Sequence, residues 1–101
     1  MPKYIVIHPM KRRALEGILK LAPEKNVVFK TLKSNCSEDA DWIRSWIVPE
    51  QEKLYCEWNA KDPESIHEVF EKSGGVVIEA IHEMHVVEGK DFSKEMEIEA
   101  Y

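Results

Sequence analysis

Trp42–Val87 reads WIRSWIVPEQEKLYCEWNAKDPESIHEVFEKSGGVVIEAIHEMHVV, and its reading decides the fold. Two β-rich runs, Trp42–Val48 and Leu54–Asn59, flank Pro49-Glu50-Gln51-Glu52, a short turn that makes them a hairpin. Asp62-Pro63-Glu64-Ser65 then opens a helix, with Asp62 as N-cap and Pro63 at the first helical position. Ile66, Val69 and Phe70 mark the buried face of that helix, and Gly74-Gly75 closes it. Val76–Val87 contains a last strand, placed at Ala80–Val87.

Upstream, Tyr4-Ile5-Val6-Ile7-His8 is a strand that ends at Pro9. Lys11–Ala22 has Ala14, Leu15, Ile18 and Leu19 on one helical face, with Gly17 as a weak spot. Pro23-Glu24-Lys25 restarts a helix, whose apolar face is predicted to be Val27, Val28, Thr31 and Leu32. Asn35–Asp41 is a polar break. The resulting order is β-α-β-β-α-β, an α+β ferredoxin-like arrangement with a four-stranded antiparallel sheet and both helices on one face. In that topology strands one and three are central, and strand four lies beside strand one. Residues 1–88 form the domain, and residues 89–101 are an acidic tail, weakly ordered or loosely helical.

Alternation along the hairpin puts Trp42, Arg44, Trp46 and Val48 on one face of the second strand, and Leu54, Cys56 and Trp58 on one face of the third. The opposite faces are apolar as well. Helices normally cover one face of a small sheet and leave the other wet. Two helices cannot cover both, so a second copy of the chain or a ligand is expected over the Trp and Cys face. Tyr4, Trp42, Trp46, Cys56, Trp58 and Met84 are therefore the expected ligand cavity or interface of a homodimer, in the manner of a dimeric α+β barrel.

Composition narrows the partners. The chain has 101 residues and a formal net charge of -5, so a single domain is the default and a phosphate backbone is a poor partner. Lys11-Arg12-Arg13 is too short a basic cluster to change that. No apolar run reaches the ~18 residues of a membrane span, and the N-terminus enters a strand pattern directly, so neither membrane nor signal peptide is expected. Two cysteines, Cys36 and Cys56, do not make a disulfide framework, and a reduced, cytoplasmic setting follows.

Four histidines carry the chemistry: His8, His67, His82 and His85. His8 shares parity with Tyr4 and Val6, and His82 with Met84. Because strand four should pair with strand one, His8 is expected across from His82 or His85, with register deciding which. Imidazole near a thiol or carboxylate suits nickel, zinc or copper. His67 and Glu71 form an i,i+4 pair that could clip a metal or simply be a solvated pair. Cys56 reads as a buried structural thiol, and the three tryptophans as interface or core aromatics rather than a stacking platform. Gly74-Gly75 lacks the lysine of a phosphate loop.

Several of these pieces resemble a family of small ferredoxin-like proteins of unknown function that includes a nickel-binding protein from actinobacteria. The first strand ends in Ile7-His8, Pro23-Glu24 opens a helix, Trp46 stands in an aromatic second strand, Leu54-Tyr55-Cys56 is an aromatic-Cys third strand followed by Ala60, His67 lies in the next helix, and Ile78–Val87 ends the domain. The resemblance implies a sheet-to-sheet dimer and transition-metal binding. His8 and His67 match family histidines, whereas His82 and His85 are additional. The chain departs from the family where Val27, Val28 and Phe29 replace a helix-one histidine, where Glu71 or a neighbour replaces a second histidine of helix two, and in a longer segment between His8 and Pro23. The expected function is a dimeric small-ligand or transition-metal-binding protein, taking nickel or zinc. The alternatives are a structural or regulatory dimerisation domain, and a cofactor-independent enzyme of the monooxygenase or isomerase type with His8 or His82 as acid-base group.

Overall fold

The computed structural model describes residues 1–95; the last part of the acidic tail, residues 96–101, lies outside the described residues. The elements run β1 (Lys3–Pro9), α1 (Arg12–Leu19), α2 (Val27–Ser34), β2 (Ala40–Val48), β3 (Lys53–Ala60), α3 (Pro63–Lys72) and β4 (Ala80–Met84). Short 3-10 turns at Pro23–Lys25, Pro49–Gln51 and Gly89–Asp91 join or follow them. The sheet order is β2-β3-β1-β4, with each neighbouring pair antiparallel. Strands one and three are thus central and strand four flanks strand one, as a ferredoxin-like chain requires. The crossover between β1 and β2 holds two helices rather than one. No helix of the described residues is long and apolar enough to cross a membrane.

One sheet face builds the core. Tyr4, Val6 and His8 of β1 face the helices, as do Leu54, Cys56, Trp58 and Ala60 of β3. Leu15, Leu32, Ile66, Val69 and Phe70 come down from the three helices to meet them. Helix α3 forms as its sequence dictates. Oδ1 of Asp62 accepts from Ser65 N at 2.8 Å, Pro63 sits in the first turn, and Gly75 N donates to Phe70 O at 2.8 Å to end it. Gly74 and Gly75 have φ of 108° and 74°, where a Cβ would be strained.

The first crossover differs from its expected pattern. Helix α1 stops at Leu19, which is 60% exposed, and of its residues Leu15 alone is buried. Pro23–Lys25 makes a 3-10 turn, and Asn26 caps α2 by accepting from Phe29 N at 3.1 Å. The helix therefore starts later and is rotated. Phe29 and Leu32 turn inward, while Val27 and Val28 are exposed. Replacing the cap, Asn26→Ala, is expected to cost about 1 kcal/mol in urea denaturation. A loss near zero would mean that the turn before α2, not the cap, sets its start.

Strand parity is corrected at two places. A β-bulge between Trp42 and Arg44 sets two residues of β2 against Glu57. Trp42 stays on the helix side, stacked on Phe29 at 5.1 Å, whereas Trp46 and Arg44 lie on the open side. In β3 the expected grouping of Leu54, Cys56 and Trp58 holds, but that group faces the helices rather than a partner. The third difference is length, since β4 ends at Met84 rather than Val87.

Candidate metal centre

His8 is the penultimate residue of β1, its side chain wholly buried beneath α3. Its ring lies 4.7 Å from that of Phe70, at 60°. Nδ1 stands 2.8 Å from the carbonyl oxygen of Val77, in the segment leading into β4. A carbonyl only accepts, so Nδ1 carries the proton and Nε2 presents a bare lone pair. Nε2 is enclosed and has no partner among the described residues. Burial pushes the His8 pKa below 6.5, against a smaller upward pull from the Val77 carbonyl. The ring is neutral at physiological pH.

The space beside His8 is a cavity of about 30 Å³ between sheet and helices. Leu54, Cys56, Met10, Phe29, Leu32 and Phe70 are among the residues that line it, with Asn26 and Ser73. Cys56 is two residues along β3 from Leu54, the residue paired with His8, so thiol and imidazole share one face. Burial pushes the Cys56 thiol up to about 11, and Ser45 Oγ, at 3.0 Å, donates to its sulfur. Thiol and imidazole are thus both neutral, unlike the thiolate–imidazolium pair of a nucleophilic cysteine.

The other expected ligands lie elsewhere. His67 is exposed on the outer side of α3. His82 pairs with Ile5 on the open sheet face, the side opposite His8. His85 follows the end of β4 and is exposed. His8 does not face His82 or His85, because the β1–β4 register sets His82 against Ile5 and Ala80 against Ile7, so that residue 8 lies beyond the N-terminal end of β4. Among the described residues no three His, Cys, Asp or Glu side chains gather as a metal-holding group.

The interface set also divides. Tyr4, Cys56 and Trp58 are buried in the core and Trp42 packs against α2, so none of these four lies on the open face. Trp46 and Met84 do, and they border a groove of about 460 Å³ with Ile43, Val86, Arg44 and Glu88. The centre of that face is polar. Glu57, almost buried, accepts from Lys3 Nζ at 2.6 Å on one oxygen and lies 3.0 Å from Arg44 Nε on the other. Lys3 Nζ also donates to Asn59 Oδ1 at 2.8 Å. This cluster lies outside the residues that the sequence singles out, although Lys3, Glu57 and Asn59 follow from strand parity and the pairing of β1 with β3. Bringing Arg44 to it needs the bulge.

The family described as "Nickel responsive protein SCO4226-like" matches residues 4–84, from β1 to the end of β4. The crystal structure of SCO4226 from Streptomyces coelicolor A3(2) superposes with a TM-score of 0.63 at 16% sequence identity, over 85% of this chain and 99% of that one. At that identity the likeness speaks for the fold. No curated protein matches the chain. The resemblance read in the strands and in Pro23-Glu24 agrees with the family match, and the chain belongs to the nickel-responsive SCO4226-like family.

Proposed function

We propose that this protein is a transition-metal-binding homodimer in which His8 supplies a metal ligand between sheet and helices and the open sheet faces of two copies meet. The observation that carries the metal reading is the enclosed, unpaired Nε2 of His8. A buried acceptor without a partner costs free energy, and a bound ion removes that cost. Imidazole is a donor for nickel and zinc alike. When bound, the ion would supply Lewis acidity. His8 would hold it through Nε2, and the Val77 carbonyl would keep the ring in the ligating tautomer. His67, His82 and His85 do not line the cavity and are not second ligands there. The family's nickel response supports the reading.

The cavity also favours binding over the enzyme alternative. At about 30 Å³ it is an order of magnitude below the ~300 Å³ at which small-molecule pockets begin. The open-face groove is large enough, but no histidine borders it. That groove suits a second copy instead. Trp46 is 45% exposed beside Ile43, Met84 and Val86, and a two-fold axis through the face would bring the same patch from each copy together.

Isothermal calorimetry with nickel chloride on untagged protein tests the metal reading. At pH 7.5 wild type is expected to bind, and His8→Ala at least tenfold more weakly. Protons compete for the same nitrogen, and its pKa is lowered, so affinity should hold to below pH 6.5 before it falls. Absent heat in wild type, or equal binding by His8→Ala, would leave His8 a core histidine.

A further inference from the structure

We infer that residues 86–95 are an arm by which each copy clasps the other, with Phe92 entering the open-face groove of the second copy and the arm's carboxylates meeting Arg44 there. The inference rests on the reading of the protein as a homodimer through its open sheet faces, and it names the segment that completes the contact. The family match ends at residue 84, so the arm is this chain's own addition to the domain.

The arm leaves the domain without packing on it. Every residue from His85 to Glu95 is exposed. Val87 is 76% exposed and Phe92 61%, although both are apolar. The arm's turn is held locally, by Asp91 N donating to Glu88 O and Phe92 N to Gly89 O, each at 3.1 Å. Glu88, Asp91 and Glu95 make no ion pair among the described residues. A segment that served its own chain would turn its apolar side chains onto the domain. Here a turn holds Phe92 out in water, as suits a side chain presented to a second molecule.

The groove fits that side chain in shape and charge. Trp46 and Ile43 of β2 border it on one side, and Met84 and Val86 on the other, so an aromatic ring would lie between apolar walls. Lys3 and Arg44 bring two cations against the single carboxylate of Glu57. Arg44 holds Glu57 through Nε, yet its side chain is 64% exposed, which leaves guanidinium donors for another acid. The arm is acidic: Glu88, Asp91 and Glu95, followed in sequence by Glu97 and Glu99, outnumber Lys90 and Lys94.

Reach is sufficient. Packed sheets lie about 10 Å apart, and the four residues from Glu88 to Phe92 span up to about 14 Å. Glu88 borders its own groove, so an arm rooted there reaches the groove that faces it. A two-fold axis repeats the exchange, and each copy gives one arm and receives one.

Sedimentation of the full chain over a concentration series tests this. Phe92→Ser changes a side chain that touches nothing in its own domain, so the urea midpoint of dilute single chains should stay that of wild type. Its dimer dissociation constant should rise at least tenfold. Neutralising the arm with Glu88→Gln, Asp91→Asn and Glu95→Gln together should weaken the dimer at low salt and flatten its salt dependence. If neither variant changes the dissociation constant, or if Phe92→Ser tightens the dimer because the arm shields its own face, the clasp is wrong and the homodimer stands. If wild type sediments as a single chain, both readings are wrong.

Discussion

Trp58→Ala is expected to lose about 3–5 kcal/mol of folding stability at every protein concentration, whereas Trp46→Ala should leave the fold intact and dissociate the dimer. The two tryptophans sit on strands that neighbour each other but face opposite ways. Trp58 is fully buried on the central strand β3, with its ring 5.3 Å from that of Phe70. Truncation opens a large hole where α3 meets the sheet, and a small domain is stable by only ~5–15 kcal/mol in total. Trp46 is 45% exposed on the edge strand β2, so its loss changes a single chain little. In a dimer each copy would bury it, and each buried Trp side chain contributes on the order of 2–3 kcal/mol to association. Wild type should sediment at twice the 11.8 kDa mass of one chain at micromolar concentration. Trp46→Ala should sediment as a single chain there, with a urea midpoint independent of concentration. A wild-type chain that sediments alone, or a Trp46→Ala variant as dimeric as wild type, would remove the open face as an interface.

The contrast between these residues marks where the sequence is legible. Element order and strand order follow from it, because Pro63, Gly74-Gly75 and the hairpin turn punctuate runs of clear period. The parity of β1 and β3 follows too, and His8 falls with Tyr4 and Val6 as alternation requires. Which face turns to the helices does not follow when both faces of a strand are apolar. Cys56 and Trp58 could satisfy either side by hydrophobicity, and the choice is made by Leu32, Ile66 and Phe70 arriving from the helices. The bulge after Trp42 is likewise silent, since Trp42, Ile43 and Trp46 read as apolar in any register. Helix α2 misleads in a different way. Val27 and Val28 match a helical face, but the Asn26 cap fixes a start that leaves them outside. The candidate metal centre was visible only as His8 itself. The other three histidines lie apart from it because the β1–β4 register sets His82 against Ile5 on the open face, His85 falls beyond the end of β4 and α3 presents His67 outward, none of which spacing reveals.

Folding stability should fall as the pH drops below 6.5, and His8 should account for that fall. In the unfolded chain the imidazole titrates near its ordinary 6.5, while burial lowers the value in the folded protein despite the Val77 carbonyl. Above 6.5 both states hold a neutral ring, and the His8 contribution is complete. Below it the unfolded chain binds a proton that the folded chain refuses. Stability is then lost at up to about 1.4 kcal/mol per pH unit until the folded pKa is reached, where the loss levels off. Among the described residues Cys56 is the other titratable side chain lining the cavity, and its raised pKa keeps it neutral across this window. Asp62, whose carboxyl is held below the ordinary range by Ser65, acts only at more acidic pH, where its protonation removes the α3 cap. The urea midpoint of wild type should therefore be flat from pH 8 to 7 and decline between 6.5 and 5, while His8→Leu stays flat over the whole interval. Saturating metal should delay the decline, because an ion on Nε2 excludes the proton and binds only the folded state. A decline that persists unchanged in His8→Leu would place its origin in another group and show that the buried imidazole takes up its proton as readily in the folded chain as in the unfolded one.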